Sequence, residues 1–403
     1  MCLLGDNMKI ESIKLKNFRA FQNVEMKDIP NFCVIVGANG TGKSTLLNVF
    51  GFLRDAYKSN IHTALTRLGG NRGFQEVRSR DQNGDIEIEI KFRENPKSPL
   101  ATYYISINEV GGQPIIKREI LKYRRGSKGQ PWKYLDFSEG EGEAVTNELD
   151  SDITTESQLQ RSKQKLKSPD ILAIKGLSQF EQFPVVKALG ELIENWHISD
   201  FHISLARPER ESGYAEHLSS EGENLSNVTQ YIFQRHKKIF DKILLSLKER
   251  VPGINKVDVK TTEDGRVLLR FHDGAFKDPF LSRYVSDGTI KMLAYLLLLY
   301  DPRPHPLLCV EEPENQLYPK LLWEIAEEFR GYAKRGGQVF VSTHSPDFLN
   351  ATKLEEVFWL VKDNGYTKIK CASEDEQLKR FIDSGDQMGY LWKQGFFEGV
   401  DPM

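Results

Sequence analysis

At 403 residues, with 55 basic and 57 acidic side chains and a formal charge of −2, the chain can bury a large core but has no global field to attract nucleic acid. Cys2, Cys33, Cys309 and Cys371 lie far apart with no C-x-x-C pair, which excludes a cysteine zinc site and a disulfide framework and favours a reducing, cytoplasmic setting. The longest apolar run, 292–300, is far shorter than the roughly 20 residues of a membrane span, so no membrane association is expected.

In chain order, Met8 is an alternative start that would leave "MCLLGDN" as a weakly ordered leader. Residues 8–36 alternate short apolar runs with turn signals and are predicted as strands, the last being the wholly apolar 32–36. A glycine-rich loop follows, then a helix over 45–53. Residues 85–92, 101–110 and 114–123 alternate apolar and polar side chains and form an expected antiparallel meander. From 124 to 165 the composition turns polar, which predicts a flexible or inserted segment. Helices are expected over 180–196 and 224–250, the second with Leu225, Val228, Ile232, Ile239, Ile243, Leu244 and Leu247 on one face. Residues 256–273 read as a hairpin turning at Glu263, Asp264 and Gly265. Beyond 286 the order is helix, strand (307–310), helix (320–335), strand (338–342) and an edge strand near 356–362. That alternation implies parallel strands covered by helices, so the fold class is α/β.

The loop after the apolar strand carries the chemistry. Gly37, Ala38, Asn39, Gly40, Thr41, Gly42, Lys43 and Ser44 satisfy G-x-x-x-x-G-K-[ST], with Thr45 opening the helix. Glycines allow a tight turn with inward N–H groups, and the helix N-terminus adds positive charge where phosphate oxygens would sit. Lys43 would reach the terminal phosphates and the Ser44 hydroxyl would coordinate Mg2+. A bare strand-to-helix turn has no use for that lysine and hydroxyl. Glu311 and Glu312 end the 307–310 strand, where ligands bind in open α/β sheets, and can serve a metal and a nucleophilic water. His344 ends the next strand and could touch a terminal phosphate.

These motifs, with "LKNFRAF" at 15–21, "YVSDGTIKML" at 284–293, "EEPENQLYP" at 311–319 and "STHSP" at 342–346, resemble the ABC-type ATPases of the SMC, RecF and OLD branch. The likeness is greatest to small bacterial ATPases of that branch that lack a toprim domain and are linked to phage defence. The resemblance implies an ABC-type P-loop ATPase head with a mixed core sheet, an antiparallel meander and a helical insertion. It makes Lys43 and Ser44 the phosphate and Mg2+ ligands, Glu311 the metal carboxylate, Glu312 the catalytic base, 314–318 the D-loop and His344 the switch histidine. Ser286, Asp287 and Gly288 would complete the ATP site of the opposite subunit, so the expected assembly is a homodimer. The implied division is 1–123 and 251–370 as two ATPase lobes, 124–250 as a polar insertion and helical lobe, and 371–403 as a tail. Glu311 stands where many relatives have aspartate, and Ser-Asp-Gly-Thr replaces Ser-Gly-Gly-Gln. Gln75 is the candidate for the metal-contacting Q-loop glutamine, a solvated loop glutamine being the alternative.

A toprim nuclease would need an Asp-x-Asp pair after an apolar strand, and Asp150-Ser151-Asp152 has the spacing without the strand. The resemblance therefore implies ATP-driven switching in genome surveillance or phage defence with a separately encoded effector, such as a toprim-like nuclease. The rival implications are a RecF-like repair ATPase acting on DNA and a nucleotide-gated scaffold with little turnover. Nucleic acid could meet Lys122, Arg124, Arg125, Lys128 and Lys133, which interleave with Tyr123 and Trp132. The basic face of 235–250 is the other possibility, against the solvated side of a packed helix.

Overall fold

The computed structural model describes residues 8–93, 95, 98–125, 129–150 and 152–398; the leader with Cys2, Lys128 and Ser151 fall outside them. A six-stranded sheet forms the centre, in the order His197–Ser199, Leu307–Glu311, Gln338–Thr343, Phe32–Val36, Val357–Asp363, Tyr366–Cys371. Its pairings are parallel except the last, which is antiparallel, so the sheet is mixed. The side chains of Phe32–Val36 alternate between two cores. Cys33 and Ile35 face the first helix and the meander, while Phe32, Val34 and Val36 face the helices of the other layer. Both faces are covered, which is why the central strands are apolar throughout.

The helix Lys43–Lys58 follows the glycine loop and packs Leu46, Phe50 and Leu53 into the first core. That core is closed by an eight-stranded antiparallel sheet in the order Phe21–Met26, Lys9–Phe18, Ile86–Arg93, Ala101–Val110, Gln113–Tyr123, Trp132–Ser138, Glu141–Val145, Arg161–Lys165. The meander therefore runs well past the three strands expected. The polar stretch 124–165, expected to be flexible or inserted, supplies the last three, and a boundary at 123/124 would separate the paired residues Tyr123 and Trp132.

On the other face lie Leu225–Arg235, Lys237–Arg250, Asp287–Leu299 and Pro319–Lys334. The single helix expected over 224–250 is two, because the backbone leaves helical geometry at His236 (φ −129°, ψ 52°). The hairpin Ile254–Thr261 with Arg266–Asp273 forms as expected. Val357–Asp363 is an inner strand, since Tyr366–Cys371 pairs outside it. Residues 371–398 are more than a tail: Leu378, Met388, Leu391 and Phe397 are buried in the second core. Among the described residues no helix is long and apolar enough to cross a membrane.

Candidate nucleotide site

Strand register assembles the site. Glu311 pairs with Ser342 and Thr343 with Val36, so the phosphate loop, the two glutamates and His344 leave the sheet at one edge. The loop turns through Gly40 (φ 78°) and Gly42 (φ 101°), conformations that favour glycine. A Cβ on Gly37 would lie 2.5 Å from Thr41 Oγ1 and 3.1 Å from the Leu360 carbonyl, so the loop also needs glycine for close approach. Thr41 donates to the Ala38 carbonyl at 2.8 Å within the loop, and its own carbonyl accepts from Thr367 at 2.6 Å, pinning the loop to the strand Tyr366–Cys371. Asn39 and Gly40 face solvent.

Lys43 is buried, and its ammonium donates to the carbonyls of Gly37 (2.7 Å) and Ala38 (3.3 Å). Burial lowers its pKa, opposed by Glu312, Glu314 and Glu311. The Ser44 hydroxyl and the Lys43 charge favour the ionised form of Glu311, yet burial first, and then the negative charges of Asp200 and Glu312, raise its pKa. Carboxylate and hydroxyl oxygens crowded beside a phosphate loop are hard donors and suit Mg2+. The donor set fits the Mg2+ that the sequence resemblance implies.

Glu312 adopts φ 42°, a left-handed conformation that costs a non-glycine residue roughly 1–2 kcal/mol and turns its carboxylate off the strand axis. It accepts from Asn315 Nδ2 at 3.0 Å and lies 3.3 Å from His344 Nδ1. Glu314 is the buried brace. Its Oε1 accepts from Thr343 Oγ1 (2.7 Å) and the His344 N–H (3.0 Å), fixing the 311–316 turn to the histidine, while its Oε2 has no partner among the described residues.

Sequence reasoning missed Asp200, Arg207 and Lys291. Asp200 follows the short strand beside Leu307–Glu311, and Arg207 holds Asp287 and donates to the Val285 carbonyl at 2.7 Å. Lys291 donates to the Glu312 carbonyl at 3.4 Å, and burial pushes its pKa down to about 8 against the pull of Glu314, Asp200 and Glu312. Asp287, Lys291, Glu311 and Glu312 share one groove of about 720 Å³ with Asp200 and Arg207. Only tertiary contact reveals them, because no fixed spacing links these segments. Ser286 caps the helix Asp287–Leu299 by accepting from the Thr289 N–H, and Gly288 lies close beneath the Gln316 carbonyl, where a Cβ would approach to 3.0 Å. Thr45 lines a second groove of about 740 Å³ with Arg19, Arg72, Arg78, Arg80 and Lys362, a basic wall that spacing also left hidden.

Gln75 is not part of the group. Its amide donates to Glu109 at 2.6 Å and accepts from Arg78 at 2.8 Å, so the expected metal role has no support in these contacts. The stacking surface expected of Tyr123 is also spent, on Tyr134 at 3.9 Å between ring centres, and its hydroxyl donates to Glu148. The basic face of 237–250 is partly paired, Arg250 meeting Glu324 and Glu328, on a helix that buries Phe240, Ile243 and Leu247.

A family model described as "AAA domain, putative AbiEii toxin, Type IV TA system" matches residues 32–350, well over half of the chain. Among curated proteins, the DNA replication and repair protein RecF of Paenarthrobacter aurescens is 33% identical over 89 residues, 21% of this chain and 22% of that protein. RecF of Clostridium perfringens (strain SM101) is 24% identical over 139 residues, covering 32% and 38%. The DNA double-strand break repair Rad50 ATPase of Saccharolobus solfataricus is 35% identical over 83 residues, 20% of this chain and 10% of that protein. The matched part thus spans well under half of these relatives' lengths. An SMC head bound to the C-winged helix domain of ScpA shares the fold at TM-score 0.53 and 14% identity, over 90% of this chain and 97% of that one. An Smc head with an extended coiled coil, bound to the ScpA C-terminal domain from Pyrococcus furiosus, gives 0.51 and 14%, over 93% and 100%. By the family match the chain belongs to this AAA-domain family.

Proposed function

We propose that the chain binds and hydrolyses ATP as a switch of shape and partner. The observation that carries this reading is the convergence of Lys43, Ser44, Glu311, Glu312 and His344 at one sheet edge, braced by the buried Glu314. Loop N–H groups and Lys43 bind the phosphates, Lys43 exchanging its carbonyl contacts for phosphate oxygens. Ser44 and Glu311 would hold Mg2+, which neutralises charge on the phosphate oxygens. Glu312 accepts a proton from the attacking water, and His344, held beside Glu312 and Glu314, orients toward the terminal phosphate. Lys43→Ala should lower turnover on the order of a hundredfold or more, the scale of losing one preorganised charge partner; unchanged turnover in the folded variant would rule the site out.

The exposed Ser286 and Asp287 would complete the ATP site of a second copy, making a homodimer when ATP is bound. Tyr284 and Tyr318, both 71% exposed, flank this segment and the 312–316 turn, and aromatic side chains left in water at such a place suit an interface. Light scattering should show the mass doubling with ATP and Mg2+ and reverting with ADP; a monomer under saturating ATP would contradict the dimer. The wider role we propose, from the resemblance of the motifs to the SMC, RecF and OLD branch, is genome surveillance or phage defence through a separately encoded effector, and copurification with neighbouring gene products tests it. The RecF and Rad50 likenesses favour a second reading, direct action on DNA, which requires salt-dependent DNA binding by the purified chain.

A further inference from the structure

At the other end of the core strands from the phosphate loop, two imidazoles and a carboxylate meet. His217, Asp301 and His305 each offer one ligand atom, and these atoms lie within 4.8 Å of one another. Asp301 follows the helix Asp287–Leu299 by two residues, and His305 precedes the strand Leu307–Glu311 by two. His217 and His305 line a cavity of about 950 Å³ bounded also by Tyr123, Glu148, Leu189 and Tyr332.

His305 decides the reading. It is 9% exposed, and its Nδ1 lies 3.0 Å from the Asn195 carbonyl oxygen, which demands the proton on Nδ1 and leaves Nε2 as a bare lone pair. That Nε2 is buried with no partner among the described residues. A histidine that ligates a metal through one nitrogen usually donates the other N–H to a carbonyl or carboxylate, and the Asn195 contact has that form. Asp301 is buried too; its Oδ1 accepts the Arg303 N–H at 2.8 Å and its Oδ2 lies 2.8 Å from His217 Nδ1. The Arg303 guanidinium is paired with Glu216. An ion pair between His217 and Asp301 alone would account for those two residues but would leave the third buried nitrogen without a role.

We propose that His217, Asp301 and His305 bind a divalent transition-metal ion, zinc by the donor set, that clips the segment carrying His217 to the base of the core sheet. Two imidazole nitrogens and one carboxylate suit zinc, whereas Mg2+ and Ca2+ prefer oxygen alone. Ligand atoms about 2 Å from a tetrahedral zinc stand about 3.3 Å apart, so the His217–Asp301 contact opens by about half an ångström on binding. Three protein ligands leave a fourth position for water, which the adjoining cavity can supply.

The test titrates the purified full chain, stripped with chelator and free of Mg2+ and nucleotide, with Co2+ as a visible probe and then with Zn2+ as competitor. The expected result is about one Co2+ per chain with the intense absorption of a four-coordinate ion, displaced by Zn2+, and affinity at least tenfold weaker in His217→Gln and in His305→Gln, in line with losing one ligand. His217 is half-buried, so His217→Gln decides the matter even if the buried His305→Gln does not fold. Failure of the wild type to take up a stoichiometric ion, or equal affinity in His217→Gln, would overturn the proposal and leave the ATPase reading untouched.

Discussion

Lys43 and Lys291 are buried beside the same carboxylates and face opposite demands. Lys43 rests on two loop carbonyls that a phosphate can replace, whereas among the described residues Lys291 reaches the Glu312 carbonyl and an aromatic ring, Tyr295, 5.7 Å away. Burial lowers the Lys291 pKa from 10.5 to about 8. Below about pH 8 the ammonium is charged in both folded and unfolded chains, and its desolvation cost is fully present, on the order of 3 kcal/mol at about 1.4 kcal/mol per pKa unit. Between about 8 and 10.5 the unfolded chain keeps a proton that the folded chain has released, so stability rises with pH across that window. Lys291→Met should therefore unfold at a higher temperature than wild type at pH 7, with the gap closing toward pH 10.5. A gap independent of pH would show that the burial of this charge is not the cause.

Elements differ in how plainly the sequence announces them. The phosphate loop was legible because its residues follow one another at fixed spacing, and Leu307–Glu311 because an apolar strand ends in two glutamates. The strand Arg161–Lys165 was not, since "RSKQK" has no fully buried side chain and an edge strand solvated on both faces carries no apolar alternation. Glu141–Val145 hides for another reason: Gly142 sits where a Cβ would come within 2.2 Å of the Asp136 carbonyl, so close approach rather than pattern selects it. The break at His236 has neither glycine nor proline to mark it. Helices Glu376–Asp383 and Met388–Lys393 are short, and their contribution lies in a few buried side chains, Leu378 on the first and Met388 and Leu391 on the second. Phe397, 1% exposed, packs 5.4 Å from both Trp359 and Trp392. Phe397→Ala should cost about 3–5 kcal/mol, the range for emptying a buried phenyl site. Chemical denaturation measures it, and a loss under about 1 kcal/mol would show that the C-terminal segment is not part of the cooperative core.

Across the whole molecule, one edge of the core sheet gathers Lys43, Ser44, Glu311, Glu312 and His344 for the proposed hydrolysis, while the segment proposed to complete a partner's ATP site, Ser286–Gly288, places Asp287 on the groove that holds Glu312. The sequence could place the motifs in order but could not show that Lys291, on the helix Asp287–Leu299, reaches the Glu312 carbonyl and feels the charges of Glu314, Asp200 and Glu312. A change at Glu312 is therefore positioned to be felt in the proposed dimer surface. Glu312→Gln keeps size and backbone but removes the acceptor charge, whereas Glu311→Gln weakens the oxygen set around Ser44. The most direct measurement follows ATP binding, turnover and mass in these two variants side by side. The account predicts that Glu312→Gln binds ATP, slows hydrolysis on the order of a hundredfold or more, and accumulates as an ATP-bound dimer, while Glu311→Gln loses ATP-dependent dimerisation together with turnover. Full turnover in Glu312→Gln, or trapping of the dimer by Glu311→Gln in its place, would contradict it.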